Sequence, residues 1–227
     1  MFLFHWSVII LIPGFILGLW AQHKVKSTFR RYSKVPASNG LTGHEMARRI
    51  LAQSGVTDVK VEATRGELSD HYDPKRKVIR LSESVYESHS VAALGVAAHE
   101  TGHAIQHHTG YTPLQIRHAL VAPANLGSMW APWIVIIGFF MGQGGGWLID
   151  LGIILFTGAV LFHVVTLPVE FNASKRAVAE LEGSGSVAPQ DIDGVRSVLK
   201  AAGLTYVAAA ASSILTLVQL VVLRRSR

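Results

Sequence analysis

The sequence contains no cysteine, so it has neither disulfide bonds nor thiolate metal sites. Any bound metal ion must therefore be held by histidine, aspartate or glutamate. Charged residues are also scarce: they make up 16% of the 227 residues, against roughly a quarter in soluble domains. Together with a hydrophobic content of 49%, this scarcity indicates a membrane protein.

Long apolar stretches support this interpretation, since each is close to the roughly 20 residues that cross a bilayer. Three are uniform: Phe2–Trp20, Trp147–Leu167 and Leu204–Leu223. A fourth, Ala119–Met141, contains two prolines but no charged side chain, and membrane helices tolerate proline. The first stretch has no positively charged start and no clear small-residue cleavage site, which favours a retained anchor over a signal peptide. We therefore predict four membrane spans.

The net charge of +6 comes from basic residues that cluster beside these spans. They are Lys24, Lys26, Arg30, Arg31 and Lys34 after the first span, and Lys175 and Arg176 after the third. This placement is typical of topology signals near lipid headgroups and does not favour nucleic-acid binding. It predicts that residues 22–118 and 168–203 are cytoplasmic and that the glycine-rich turn at residues 142–146 is outside. Four spans then put the basic tail, formed by Arg224, Arg225 and Arg227, outside. If the fourth apolar stretch instead lay along the membrane surface, the tail would be inside.

The pentad His99-Glu100-Thr101-Gly102-His103 reads H-E-x-x-H and follows a small, apolar run. On a helix, residues four apart differ by about 40° around the axis, so both imidazoles can bind one Zn²⁺. Glu100 is rotated about 100° from His99, where its carboxylate can take a proton from a zinc-bound water. Gly102 allows another segment to approach closely. An interfacial helix with chance histidines is the alternative.

The third ligand is expected on the same side of the membrane as the pentad, because two crossings return the chain to that side. Glu170 follows the third span directly, and Pro168 suits the first turn of a new helix. Ala173 and Ala177 share a face with Glu170 and would let this helix press against the pentad helix. Asp150 lies on the side of the glycine-rich turn and is excluded. A glutamate favoured only by the helix dipole is the alternative.

Other histidines have less specific patterns. His107 is four residues beyond His103, so a second histidine pair is conceivable, but Glu100 is correctly placed only for His99 with His103. His71 could polarise a substrate carbonyl, although a histidine in a turn is more often solvated. His163 lies within a span and is expected to pack or support the site.

The segment before the pentad is predicted to be a small α/β unit. Thr42 and Glu45 form a capping box at the start of a helix, and Asp58–Ala63 and Lys77–Leu81 alternate as strands. The residues of Asp70–Pro74 are of the types preferred in turns and predict a turn there. Ser82–Tyr86 is expected to lead into the pentad helix.

A strand before an H-E-x-x-H helix can hold a peptide substrate extended across the metal by β-augmentation. Val78–Leu81 is the candidate for this edge strand; a purely structural strand is an equal alternative.

Four motifs of this chain resemble those of the YugP-type membrane zinc metallopeptidases of bacteria. They are Leu68–Pro74, Val78–Tyr86, Ala97–Gln106 and Leu167–Ser174. The resemblance covers nearly the whole chain and implies a neutral zinc peptidase. More distantly, the layout is similar to HtpX-like and CAAX-prenyl endopeptidases, which follow H-E-x-x-H with E-x-x-A-D after a membrane hairpin. Ser174 stands where their aspartate would be, so the contact of that aspartate with a ligand histidine is not carried over.

These observations predict a mainly α-helical integral membrane protein with about four transmembrane helices and a small α/β zincin-like catalytic domain whose pentad helix lies at the membrane surface. The predicted segments are residues 1–21 (first span), 22–118 (catalytic region), 119–167 (hairpin of spans two and three), 168–203 (third-ligand helix and soluble loop) and 204–227 (fourth span and basic tail).

The predicted function is a membrane zinc endopeptidase in the cell membrane, with its active site facing the cytoplasm and a peptide or membrane protein as substrate. His99, His103 and Glu170 would bind one Zn²⁺, and Glu100 would activate its water. Two alternatives remain. An intramembrane protease needs the pentad inside a span, which its polar flanks argue against. A non-catalytic zinc-stabilised scaffold or chaperone-like partner would close the metal with a fourth protein ligand such as Asp70, His71 or His107.

Overall fold

The computed structural model describes residues 6–185 and 187–226, so the start of the first predicted span and the last residue of the basic tail lie outside the described residues. The α-helices are α1 (Ile12–Tyr32), α2 (Gly43–Gln53), α3 (Glu83–Tyr86), α4 (Val91–His108), α5 (Thr112–Phe140), α6 (Gly146–Gly183) and α7 (Pro189–Arg225). The strands are β1 (Lys60–Thr64), β2 (His71–Asp73) and β3 (Val78–Ser82), and short 3₁₀ helices span Trp6–Leu11 and Gly142–Gly145.

Four helical segments are long and apolar enough to cross a membrane, which confirms the predicted number of spans. Their bounds are Trp6–Tyr32, Thr112–Phe140, Gly142–Gly183 and Pro189–Arg225. Large apolar side chains on them are exposed, for example Phe140 at 72% and Ile154 at 68%. Apolar surface of this kind marks a protein that contacts lipid. The mainly α-helical membrane fold with a small three-stranded sheet is therefore confirmed.

Helix α6 continues through Pro168, so the prediction that a new helix begins at this proline is wrong. Proline removes one backbone donor, and a helix that packs along its length can tolerate that loss. Thr166, one turn after Phe162, also donates its hydroxyl hydrogen to the Phe162 carbonyl at 2.7 Å, in the turn before the proline. Glu170 consequently lies in the interior of a long helix.

One of two compact units contains residues 6–22, 115–168 and 205–226. Its buried apolar contacts include Val135 and Ile149 with Leu223. Arg224 donates from Nε and Nη2 to the two carboxylate oxygens of Asp150, at 2.8 and 3.0 Å. Arg224 therefore lies beside the start of α6, close to the glycine-rich turn, as two further spans between that turn and the end of α7 require.

The second unit contains residues 23–114 and 169–204 and has its own apolar core. Core residues of α2, β3, α4 and α6 include Met46, Ile50, Ile79, Leu81, Leu94 and Leu181. The predicted capping box of Thr42 and Glu45 is present at the start of α2. Residues Glu83–Tyr86 form the separate helix α3 instead of leading into the pentad helix, which begins after Ser90 accepts a hydrogen bond from the Ala93 N–H.

The three strands form a sheet in the order β1-β3-β2. Strand β3 pairs in parallel with β1, Lys60 opposite Val78, and antiparallel with β2, His71 opposite Arg80. Val78–Leu81 is therefore central, and its prediction as an edge strand is wrong. The predicted turn at Asp70–Pro74 is also wrong, because its middle residues form the outer strand β2. The nearly continuous burial of β3 is typical of a strand covered on both sides.

Candidate metal centre and active site

Side chains from two helices converge on one point in the second unit. His99 and His103 lie one turn apart on α4, and Glu170 lies on α6. The Glu170 Oε2 atom is 3.2 Å from His99 Nε2 and 3.4 Å from His103 Nε2. All three ligand atoms lie within 4.8 Å of one another. The structure thus brings together the three side chains that the sequence singled out for metal binding.

The donor set and its spacing fit a zinc ion. Zinc binds imidazole nitrogen and carboxylate oxygen at about 2.0–2.2 Å in tetrahedral geometry, which places neighbouring ligand atoms about 3.3–3.5 Å apart. Both nitrogen–oxygen distances to Glu170 are close to this value. Without a cation, a carboxylate that is 2% exposed would be costly to bury.

Small residues bring the two helices into contact, as predicted. A Cβ atom placed on Gly102 would lie 2.6 Å from the carbonyl oxygen of Ala173, closer than real atoms pack. Ala173 and Ala177 are both fully buried. Any larger residue at Gly102 would push α6 away from α4, and Glu170 would move with it.

A chain of hydrogen bonds orients His103. Arg176 Nε, which is always a donor, donates to Asn172 Oδ1 at 2.8 Å, and the same oxygen accepts from Gln106 Nε2 at 2.9 Å. Gln106 Nε2 also donates to the Val169 carbonyl at 2.8 Å. Its Oε1 atom must then accept from His103 Nδ1, 3.0 Å away. This fixes the tautomer of His103 with Nε2 unprotonated, as metal binding requires.

His99 has a different partner. Its Nδ1 atom lies 3.2 Å from the hydroxyl of Ser174. The first histidine of the pentad therefore has a side-chain partner at its Nδ1 atom, and this partner is a neutral hydroxyl group. Because a hydroxyl can donate or accept, Ser174 orients the ring without fixing its tautomer.

Glu100 lies beside these residues and is 8% exposed. Burial raises the pKa of its carboxyl group to about 7. His99 acts in the opposite direction, whereas the carboxylates of Glu170 and Asp70 raise the pKa further. A divalent cation at this point would lower the pKa, because a nearby positive charge favours the ionised carboxylate.

The other candidate ligands have partners elsewhere. Asp70 accepts from the Ser82 N–H at 2.7 Å, His71 Nδ1 is 2.8 Å from the Ser69 carbonyl, and His107 Nδ1 is 2.8 Å from the Tyr72 hydroxyl. Across residues 6–185 and 187–226, the cluster of metal-ligand side chains contains only His99, His103 and Glu170. A zinc ion held by these three side chains would keep its fourth coordination position for a water molecule or a substrate.

Gln106, Asn172 and Arg176 were not predicted as site residues. Gln106 is three residues after His103, on the same helix face, and Asn172 and Arg176 are four apart on α6. Helical spacing relates the members within each helix, but only the packing of α4 on α6 brings Asn172 to Gln106.

An H-E-x-x-H helix whose histidines meet a glutamate from a second helix is the arrangement of zinc metallopeptidases. A family model described as "Putative neutral zinc metallopeptidase" matches residues 7–225. The "Putative membrane protease YugP" of Bacillus subtilis (strain 168) is 49% identical over 216 residues, 95% of each chain. The chain belongs to this family of neutral zinc metallopeptidases. No solved structure matches it significantly.

Family membership confirms the resemblance drawn from the sequence motifs, with zinc as the cofactor. Together with the four apolar helices, it makes the chain a multi-pass membrane protein.

Proposed function

We propose that this protein is a zinc endopeptidase that hydrolyses peptide bonds at the membrane surface. The observation that carries the proposal is the open set of three ligand-type side chains with Glu100 next to it on the same helix. A structural zinc site is normally closed by four protein ligands, whereas a catalytic site keeps one position for water or substrate. The open position therefore argues against the zinc-stabilised scaffold.

In this proposal His99, His103 and Glu170 bind the metal, with the Nδ1 atoms of the histidines held by Ser174 and Gln106. When bound, zinc supplies a Lewis acid that acidifies water and polarises a carbonyl group. Glu100 takes a proton from the attacking water and then transfers it to the leaving amine. The low exposure of Glu100 limits the bulk water that could compete for that proton.

The substrate peptide is proposed to pair with β2 instead of β3. Strand β3 already has neighbours on both sides, whereas in the described sheet β2 is bonded on one side only. Strand β2 also packs on α4, the helix of the pentad. A peptide added at this outer edge would be held extended by main-chain hydrogen bonds.

The cytoplasmic side is the proposed location of the active site. Support comes from the basic residues after the first and third apolar stretches, which follow the positive-inside pattern. Glu170 is three residues beyond the apolar stretch that ends at Leu167, which supports a site close to the membrane surface.

The decisive experiment compares the full-length protein in detergent with its Glu100→Gln variant. We expect the variant to retain zinc, measured by elemental mass spectrometry, but to lose cleavage of a peptide library by about 100-fold or more, because the amide cannot accept the proton. Glu87→Gln is the matched control, since Glu87 is exposed and lies outside the cluster. Full proteolysis by the Glu100→Gln variant would exclude Glu100 as the base.

A further inference from the structure

A cavity lies in the unit that contains the candidate metal centre, between α1 and α7. Its volume is about 290 Å³. The residues that line it are Lys24, Thr28, Arg31, Tyr32, Ser197, Lys200, Ala201 and Leu204. Three cations and two aliphatic hydroxyl groups therefore share one cavity, and none of these lining residues is acidic.

The spacing of these residues shows that each helix contributes one continuous face. On α1, Lys24, Thr28 and Arg31 are related by four and three residues. On α7, Ser197, Lys200 and Leu204 are related by three and four. The cavity is thus formed where the face of α1 that carries Lys24 and Arg31 meets the face of α7 that carries Ser197 and Lys200.

The cations of the cavity are not neutralised within the described part of the chain. No ion pair is found there for Lys24, Arg31 or Lys200, and all three side chains are exposed. The acidic residues at the start of α7 have other partners: Asp191 accepts from the Ser38 N–H at 2.8 Å, and Asp193 pairs with Arg196 at 3.4 Å. The mutual repulsion of three cations would be relieved by an anion among them.

Close packing beside the cavity holds its two walls together. A Cβ atom on Gly194 would lie 2.9 Å from Cε1 of Tyr32, so glycine lets the tyrosine ring of α1 lie against the backbone of α7. Phe29, on the same helix, packs against the apolar core of the unit. This packing therefore sets the distance between the basic residues of α1, Lys24 and Arg31, and Lys200 of α7.

The cavity adjoins the points where both helices become apolar. Helix α1 is apolar up to Trp20, four residues before Lys24, and the apolar stretch of α7 begins at Leu204. In a bilayer, basic residues at this position meet the headgroup phosphates, and basic pockets between spans bind anionic headgroups.

We propose that this cavity is a binding site for a phosphate group, supplied by the headgroup of an anionic phospholipid. Arg31 and the two lysines would contact the phosphate oxygens, Thr28 and Ser197 would donate hydroxyl hydrogen bonds, and the acyl chains would extend into the bilayer. Free inorganic phosphate shares the same chemistry and is the alternative source.

The test uses the full-length protein in a neutral detergent, titrated with dioleoylphosphatidylglycerol and followed by native mass spectrometry. The cavity variant replaces Lys24, Arg31 and Lys200 by glutamine. The matched control replaces Lys26, Arg30 and Lys34 by glutamine, which removes the same charge from the same region without touching the cavity lining. Dioleoylphosphatidylcholine tests the acyl chains alone, and radiolabelled inorganic phosphate tests the free anion.

We expect phosphatidylglycerol to bind the cavity variant about tenfold more weakly than the unmodified protein, while the control variant binds nearly as well. Phosphatidylcholine should not distinguish the three proteins. If inorganic phosphate binds with the same variant dependence and phosphatidylglycerol does not, the site is a phosphate site but its source is the free anion.

An equal loss of phosphatidylglycerol affinity in both triple variants would overturn the proposal, since binding would then follow surface charge. If neither triple variant lost affinity for phosphatidylglycerol or for inorganic phosphate, the proposal would also be overturned, because binding would not involve these residues. If the triple variant does not fold, the single Lys200→Gln variant replaces it in the test. We expect this variant to lose phosphatidylglycerol affinity severalfold. An unchanged affinity in that variant would also count against the site.

Discussion

The two histidines of the pentad are supported by different kinds of contact. His103 is held by Gln106, which is held in turn by Asn172 and Arg176, so a guanidinium group that is always a donor determines the tautomer of the ring. His99 meets only the hydroxyl of Ser174 at its Nδ1 atom among the contacts found. The ring of His103 is therefore oriented without any metal ion, whereas the ring of His99 retains more freedom. Substitutions at five positions test this difference.

Glu170→Ala should have the largest effect, because Glu170 is the partner that both histidines share. We expect zinc content to fall about 100-fold or more at equal free zinc, since two of three protein ligands remain. Elemental mass spectrometry of the purified protein measures this. Glu180→Ala, on the same helix but outside the cluster, is the control. Unchanged zinc content in the first variant would remove Glu170 as a ligand.

Gly102→Ala should weaken both histidine contacts together, because the added methyl group meets the Ala173 carbonyl oxygen. Overpacking of this kind costs about 1–3 kcal/mol, which would lower the thermal unfolding temperature of the metal-free protein. Gly95→Ala on the same helix is the control, since its nearest neighbour, Val195, is at an ordinary 3.4 Å. Equal unfolding temperatures for the two variants would argue against close helix contact at Gly102.

Gln106→Ala removes the partner of His103 Nδ1 and should weaken zinc binding through that histidine. Loss of such a supporting contact typically weakens metal affinity about 10–100-fold. Competition with a chelator of known affinity measures the change, and thermal unfolding of the metal-free variant separates a general loss of stability. Arg176→Met should act in the same direction but less strongly, because Gln106 keeps its bond to the Val169 carbonyl. A normal affinity in Gln106→Ala would show that His103 does not depend on this chain.

Ser174→Ala should have the smallest effect, a loss of zinc affinity of about threefold, because the hydroxyl is a neutral partner at 3.2 Å. Ser174→Asp should instead raise the affinity, since a carboxylate fixes the tautomer and increases the basicity of the ligand histidine. Isothermal titration of both variants with zinc checks the two directions. If Ser174→Ala lost as much affinity as Gln106→Ala, the two histidines would be equally dependent on their partners.

Features that follow from local spacing were predicted correctly. The capping box of Thr42 and Glu45, the pentad helix and the small face of Ala173 and Ala177 depend on residues a few positions apart. The four spans were predicted because apolar length alone distinguishes them. The convergence of Glu170 with the histidines was also expected, because a membrane hairpin returns the chain to the side from which it came.

Features that depend on distant pairing were predicted wrongly or missed. Val78–Leu81 was the candidate for the edge strand, but β3 is central because it pairs with β1 on one side and with β2 on the other. Pro168 has the local features of a helix start, yet α6 continues through it. Helix propensity is a weak preference that tertiary contacts override.

By itself the sequence determined the chemistry that this protein has available: nitrogen and oxygen metal ligands in the absence of cysteine, a glutamate one residue from the first histidine, and apolar spans on either side. Periodicity along a helix is local, so these features can be read from spacing alone. Only the tertiary structure decided how the ligands are held, with Gln106 linked to Asn172 and His99 to Ser174, and which strand is exposed at the edge of the sheet. Those contacts join residues dozens of positions apart, and only close packing of α4 on α6 brings them within hydrogen-bonding distance.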